Sequence, residues 1–329
     1  MESEMDIFGY VRLGGVALSL AVAAVGPSAA QDATSWPAKP VRLILNYAPG
    51  GSSDNTMRPY AERLTKALGQ QFVIEYRGGA SGAIGLEATA KSAPDGYTFG
   101  LTPMLSVAIA PHLRKLNFDP LKDLKPVAIV TVATVLFASH PSVPGKTFQE
   151  VVDHIKKNPG KLSFGTAGVG AMLHILIEVL KKEHGIDILH VPYRGAGESL
   201  QDFLAGNIQL HGDPNTLPHI ATGKGNLLAI LDTGRHPDYP NVPVLKEIFP
   251  EIDWISWFGL FAPQGTPDAI VEKMSAELAK LSKDPEVQAF HRKVALTSAS
   301  STPAEFGAQL KKDHERFGKI IAEAGIKAE

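Results

Sequence analysis

Serine, histidine and aspartate could support acyl transfer or metal chemistry, but their spacing in this chain assembles neither. The 11 histidines include no pair three or four residues apart, so no helix face carries two imidazole ligands, and H-E-x-x-H is absent. Gly79-Ala80-Ser81-Gly82 approaches the serine nucleophile elbow, with its second glycine one position early. Gly168-Val169-Gly170 is followed by Leu173 where a dinucleotide-binding turn needs a third glycine, and no P-loop occurs. The 329 residues include no cysteine, which excludes thiolate nucleophiles, iron–sulfur clusters and cysteine zinc sites. An exported hydrolase or lyase using Ser81, His174 and Asp213 is the enzyme alternative, and nothing in their spacing supports a triad. No catalytic residue, metal site or cofactor is expected.

Binding without chemistry is better served. Gly50-Gly51-Ser52 and Thr166-Ala167-Gly168 are turns placed between a strand end and a helix start. Free N–H groups there, at the positive end of a helix dipole, suit a carboxylate or phosphate. A micromolar dissociation constant is about −8.2 kcal/mol. Hydrogen bonds to a charged group contribute roughly 1.5–3 kcal/mol each, so a handful of backbone donors suffices without a lysine or arginine clamp. Each turn taken alone also reads as a plain connection between strand and helix. Asp54 reads more readily as a first-turn helix stabiliser than as a contact. His174 suits packing as well as a ligand, and Arg194 suits a surface or interdomain ion pair. Asp213 either gates a cleft or makes a turn.

The elements that must position these turns recur twice. Val41–Tyr47 is strand-like, and Met57, Tyr60, Ala61, Leu64, Ala67 and Leu68 repeat at helical spacing until Gly69. Strand-like Phe72-Val73-Ile74 follows. The same order returns with Leu162-Ser163-Phe164, a helix over 171–184 stopped by Gly185, and a strand from Ile186 to Val191. Alternating strands and helices predict an α/β architecture with parallel sheets. Residues 127–138 exceed the usual strand length of about 5–6 residues, as a segment crossing between sheets would, and 255–262 could make the return. The boundaries expected are 31–136 plus 256–329 for domain 1 and 137–255 for domain 2, against a single larger sheet as the alternative. Toward the end, Thr266-Pro267-Asp268, Asp284-Pro285 and the Thr302-Pro303-Ala304-Glu305 capping box announce helices.

Composition narrows the class further. Hydrophobic residues are 44%, enough for two packed cores, which excludes a disordered or collagen-like chain. The net charge of −2 and 7% aromatic content argue against nucleic-acid binding. Residues 13–25 form an apolar run after Arg12, followed by Ser28 and Ala30 at small-residue cleavage positions. A signal peptide over 1–30 is expected, with an uncleaved anchor as the alternative. The acidic start at Glu2, Glu4 and Asp6 departs from the usual basic pattern, and initiation at Met5 would largely repair it. Removing 1–30 leaves 31 basic and 31 acidic residues, so ligand attraction must be local.

From Trp36-Pro37-Ala38-Lys39-Pro40-Val41 almost to the C-terminus, the chain resembles the Bug/TctC-like family of extracytoplasmic receptors of tripartite tricarboxylate transporters. The resemblance is carried by Pro49-Gly50-Gly51-Ser52-Ser53-Asp54, Gly79-Ala80-Ser81-Gly82-Ala83-Ile84-Gly85 and Pro94-Asp95-Gly96-Tyr97-Thr98. His190-Val191-Pro192-Tyr193-Arg194-Gly195, Trp257-Phe258-Gly259-Leu260-Phe261-Ala262-Pro263, Gly265-Thr266-Pro267 and Asp284-Pro285-Glu286-Val287 complete it. It implies a two-domain Venus flytrap of the type II periplasmic-binding-protein class, each domain a mostly parallel sheet flanked by helices, joined by two crossing strands. It also implies a monomer in the periplasm that takes a dicarboxylate, tricarboxylate, acidic amino acid or aromatic acid through loop backbone groups and bridging waters, and delivers it to membrane permease subunits. A ligand-sensing role beside a membrane sensor kinase would use the same pocket. Asp213 matches a family position where a strand ends in an aspartate facing the cleft. The candidate ligand-binding set is Tyr47, Ala48, Gly50, Gly51, Ser52, Ser81, Thr102, Thr166, Ala167, Gly168, His174 and Asp213. Departures at Tyr47-Ala48, Arg77-Gly78-Gly79 and Gly212-Asp213 flank the expected pocket, so substrate identity is not inherited, and the Tyr47 phenol could stack on or donate to a longer acid.

Overall fold

The computed structural model describes residues 35–47, 49–79, 82–193 and 196–327. The proposed leader, Ala48, Ser81 and Arg194 lie outside the described residues. Among those described, no helix is long and apolar enough to cross a membrane.

Among the described residues eleven strands form two sheets. The first is built from β1 (Val41–Leu45), β2 (Phe72–Tyr76), β3 (Thr98–Pro103), β4 (Leu124–Ala133), β10 (Ser256–Pro263) and β11 (Leu296–Ser298), in the order β11-β4-β10-β3-β1-β2. The second comprises β5 (Val135–Ser139), β6 (Ser163–Thr166), β7 (Leu189–Pro192), β8 (Leu210–His211) and β9 (Asn226–Leu231), in the order β7-β6-β8-β5-β9. Within the first sheet β1 pairs in parallel with β2 and β3, while β10 runs antiparallel to both β3 and β4. In the second, β6 pairs in parallel with β7 and β8, and β5 runs antiparallel to β8 and β9. The parallel ladders require helical crossovers, which is why strand, turn and helix recur in the sequence.

The apolar stretch over 127–138 is two strands, not one. Ala133 ends β4, Thr134 intervenes, and Val135 begins β5 in the other sheet. The second apolar segment behaves differently from expectation. All eight residues of β10 pair with β4, from Ser256↔Ala133 to Pro263↔Leu124, so the chain has already returned when β10 begins. Its apolar length reflects burial on both faces of a central strand, and burial of that kind looks the same in sequence as a crossing.

Local signals place the helices that carry the turns. The helix Ser52–Leu68 ends at Gly69 with φ 71°, and Met172–His184 ends at Gly185 with φ 62°, both left-handed caps that glycine adopts without strain. Asp284 caps Pro285–Lys293 by accepting from the Glu286 and Val287 amides, and Thr302 with Glu305 forms the expected capping box of Pro303–Ala324. At Thr266 the hydroxyl instead bonds the Pro263 carbonyl, and the helix Asp268–Leu281 starts without a side-chain cap.

That last helix, Pro303–Ala324, packs on β4 and on the helix Met172–His184, and through Phe306, Leu310, Phe317 and Ile321 it makes one apolar core continuous from the first sheet to the second. Phe306 stands edge-on to Trp257 at 5.0 Å, and the Trp257 indole N–H donates to buried Asp313 at 2.8 Å. Gly259 of β10 leaves room for the ring, since a Cβ there would lie 2.1 Å from Phe306 Cζ. Gly259→Ala is therefore expected to cost about 1–3 kcal/mol by overpacking. A urea midpoint equal to that of the wild type would show that the ring moves aside freely.

Candidate functional site

The carboxyl ends of the parallel strands carry the candidate residues, as they do in open α/β sheets generally. In the second sheet Thr166 ends β6, His211 ends β8 and Tyr193 follows β7. In the first, Asn46 follows β1 and Thr102 lies near the end of β3. Loops of the two sheets meet around a cavity of about 180 Å³. Ser52 lines it from the helix Ser52–Leu68, and Thr166, Ala167, His211, Asp213 and Met172 line it from the second sheet's side. Thr134 and Ser256, at the two passages between sheets, form its floor together with Phe258. Among the described residues lining it there is no lysine or arginine.

Four of the sequence candidates, Ser52, Thr166, Ala167 and Asp213, thus share one cavity. The others stand around it. Gly50 and Gly51 are exposed, and the Gly50 amide is not a free donor: it bonds Asp54 Oδ2 at 2.8 Å. This corrects the expectation of an open anion nest at that residue. Asp54 is buried and also accepts from Arg58 at 2.9 Å and from the Tyr76 hydroxyl at 2.8 Å. Burial pushes its carboxyl up, but the bonds from Arg58, Gly50 and Tyr76 outweigh that and hold it below the usual aspartate value. Asp54 therefore fixes the loop before the helix, which is more than the first-turn stabilisation read from sequence.

Tyr47 and Thr102 belong to a separate polar cluster. Asn46 Nδ2 donates to Thr102 Oγ1 at 2.6 Å and reaches the Gly82 carbonyl at 3.4 Å, and the Tyr47 hydroxyl lies 3.4 Å from Ser106 Oγ. Burial raises the Tyr47 phenol, with the Ser106 bond and the Arg114 charge opposing it. Gly82 is required there, because it has φ 91° and a Cβ would fall 2.4 Å from Asn46 Nδ2.

The second turn is held by imidazoles. Thr166 Oγ1 donates to the Gly168 carbonyl at 2.9 Å and lies 2.7 Å from His190 Nε2. One hydroxyl has one proton, so with Gly168 as its acceptor the ring nitrogen is the donor, and His190 is assigned as its Nε2–H tautomer. His174 accepts the Gly170 amide on Nδ1 at 3.0 Å and stacks on His190 at 4.0 Å, with Phe164 behind His190 at 4.8 Å. His174 accordingly braces the 166–170 turn and is not among the residues lining the cavity. Neither His190, quoted only within the family motif, nor His211 was among the candidate site residues. His190 is brought to Thr166 only by the β6–β7 register, which no local pattern announces, whereas His211, directly after strand-like Ile208-Gln209-Leu210, had a readable position.

Charges on the wall of this cavity are few, although Ser52 and Asp213 also line an adjoining cavity that includes Asp238, Arg292 and Lys293. Burial pushes His190 down to about 4, helped by the His174 and Lys181 charges, and pushes His211 down to about 4. His211 Nε2 pairs with Ser199 Oγ at 2.8 Å and Nδ1 with Thr216 Oγ1 at 2.7 Å. Asp213 is half-buried; burial raises its carboxyl, partly opposed by the Asn215 amide bonded to Oδ1 at 3.1 Å. Among the described residues no group of three or more His, Asp or Glu side chains could hold a metal ion.

The histidines set a pH dependence with a definite sign. Folded, both rings bind protons less readily than the ordinary value of 6.5 allows, so the unfolded chain takes up more protons between pH 6.5 and 4. Stability is full above about 6.5 and is lost as pH falls toward 4. The melting temperature is expected to fall over that window, and His211→Gln to flatten the fall; an unchanged slope in the variant would remove His211 from the account.

Comparison with known proteins agrees with this geometry. Residues 56–326 match the family described as tripartite tricarboxylate transporter family receptor, TctC. BugT of Bordetella pertussis is 32% identical over 320 residues, covering 94% of this chain and 97% of its own. Among solved structures, a protein of R. palustris determined with adipate is 28% identical with a TM-score of 0.76, covering 89% of this chain and 99% of that one. MatC from Rhodopseudomonas palustris, with bound malate, is 27% identical with a TM-score of 0.71, covering 87% and 100%. Two sheets flanked by helices, loops of both meeting at one cavity and a family match across most of the length lead to one conclusion: the chain belongs to the TctC receptor family and is a periplasmic-type solute-binding receptor, not an enzyme.

Proposed function

We propose that this receptor captures a small carboxylate in the cavity between its two sheets and hands it, as a monomer, to the permease subunits of a tripartite tricarboxylate transporter. The observation that carries the reading is the cavity's lining: hydroxyls and main-chain groups from both sheets, with no lysine or arginine among the described residues. Its volume of about 180 Å³ lies below the range of roughly 300–1,000 Å³ for drug-sized sites, in keeping with a metabolite of few carbons. Adipate and malate in the related R. palustris proteins point to the same chemical class. The lobes of this receptor are 31–136 plus 256–329 and 137–255, a division close to the partition of strands between the sheets, which changes at Thr134 because Val135 already begins β5. Residues 1–30 serve as a leader cleaved after Ala30, which delivers the mature chain to the periplasm. Closure of the lobes excludes water, and each donor then holds the acid more strongly than it would in solvent.

The test is a thermal-shift screen against mono-, di- and tricarboxylates and aromatic acids. Ligand at 100 times its dissociation constant stabilises by about 2.7 kcal/mol, a shift of several degrees for a chain of this size. Ala167→Trp, at an exposed position on the cavity wall, should abolish the shift while leaving the unliganded melting temperature nearly unchanged. A shift that survives this substitution would place the ligand elsewhere.

A further inference from the structure

The chain has no cysteine, so its thioethers are the side chains that a peroxide oxidises first. Of its six methionines, Met1 and Met5 fall within the proposed leader. Met57, Met104 and Met274 are at most 1% exposed and belong to the apolar cores. Met172 is the one methionine among the described residues that is only half-buried, and it stands on the wall of the cavity between the sheets.

Met172 opens the helix Met172–His184, directly after the 166–170 turn that Thr166 and His174 brace. It packs against the core continuous between the sheets and lines the cavity beside Ala171, Leu173 and Phe258. An unbranched thioether fills an irregular apolar corner of this kind well. Oxidation changes the chemistry of that corner. A sulfur lone pair attacks one oxygen of the peroxide and the O–O bond breaks. The proton on the transferred oxygen passes to the departing hydroxide, which leaves as water; sulfur is oxidised by two electrons and the peroxide reduced. The sulfoxide is polar, where the thioether was apolar. In a cavity of about 180 Å³ with no lysine or arginine on its described wall, the new oxygen meets no cation. It sets an acceptor beside a bound acid, occupies room the acid needs and claims a donor the acid group would use.

Resting on the carboxylate reading above, we infer that Met172 is the oxidation site of this receptor, and that conversion of its thioether to the sulfoxide by a peroxide switches capture off. The bound acid shields Met172 in turn, because the closure that excludes water from the cavity excludes peroxide as well. Burial denies Met57, Met104 and Met274 the same access.

The experiment treats the full chain with graded hydrogen peroxide, alone and with each of malate, adipate, citrate and phenylacetate, and maps sulfoxides by mass spectrometry. Met172 is expected to convert roughly tenfold faster than Met57, Met104 or Met274, since susceptibility follows exposure. An acid that binds should slow that conversion. By calorimetric titration the oxidised wild type should bind the same acid roughly tenfold more weakly or worse, the loss of one hydrogen bond to a charged group. Methionine sulfoxide reductase should restore the affinity. Met172→Leu keeps an apolar side chain of similar volume without the sulfur; its affinity, whatever the starting value, should not change with peroxide. That variant separates oxidation of Met172 from damage elsewhere. Conversion of a buried methionine before Met172 overturns the inference, as does conversion of Met172 at an equal rate with the acid bound. An oxidised wild type that binds as tightly as the untreated protein overturns it too, and so does a Met172→Leu protein that peroxide weakens equally. In each of those cases the carboxylate reading stands, because the untreated protein still binds. If none of the four acids binds the untreated protein, that reading falls first and takes this inference with it.

Discussion

The antiparallel pairing of β10 with β4 is the constraint on which the site depends. It sets Ser256 opposite Ala133, and Ala133 is separated from the second sheet by Thr134 alone. The two passages of the chain between the sheets therefore lie side by side, and both contribute to the cavity. Asp232, at the end of β9, bonds the Thr134 hydroxyl and reaches Thr297 of β11 at 3.5 Å, so the passage is tied to both sheets by one carboxylate. Loops more than 100 residues apart in sequence, at Ser52 and Thr166, face a common space because this seam fixes where each sheet ends.

Around that seam the turns are held mainly by side chains behind the cavity wall, with Thr166 the one brace that also lines it. Asp54 fixes the Gly50 amide and is in turn held by Arg58 and Tyr76. Thr166, His190 and His174 fix Gly168 and Gly170 through hydrogen bonds and a ring stack. A glycine turn alone would lose considerable backbone freedom on binding, since glycine samples more conformations than any other residue. Bracing it beforehand transfers that cost to folding, so little ordering is left for the ligand to drive. In sequence terms, the glycines mark the turns, while Asp54, His174 and His190 mark what holds each turn in place.

Legibility follows the range of the interaction. Short-range rules specified the helix stops at Gly69 and Gly185, the Asp284 cap and the Thr302–Glu305 box, because each is closed within a few residues. The α/β class and the first passage near 127–138 were legible from alternation and length. The role of 255–262 was not, since a central strand buried on both faces has the same apolar composition as a crossing. Ser52, Thr166, Ala167 and Asp213 could be named because each sits at a strand end beside turn residues. His190 could not, as its role arises from register between β6 and β7; nor could the capture of the Gly50 amide by Asp54, where two readings of one carboxylate, cap or contact, share the same sequence.

The absence of a cation from the described cavity wall has consequences for a receptor that must also let go. Buried ion pairs hold tightly when broken one partner at a time, because the remaining charge is left desolvated. Hydroxyls and amides leave behind groups that water rehydrates at smaller cost, and the affinity they give comes from several modest bonds that can be opened in sequence. With a net charge of −2, long-range steering of an anion contributes little to capture, so encounter proceeds near the rate of unassisted docking. In the proposed mode selectivity and residence time would rest on closure around the bound acid, since differences among related complexes are carried mainly by the rate of release. In the proposed binding mode the hydroxyls and main-chain groups of the described wall would hold the acid group through bonds each weak enough to open in turn.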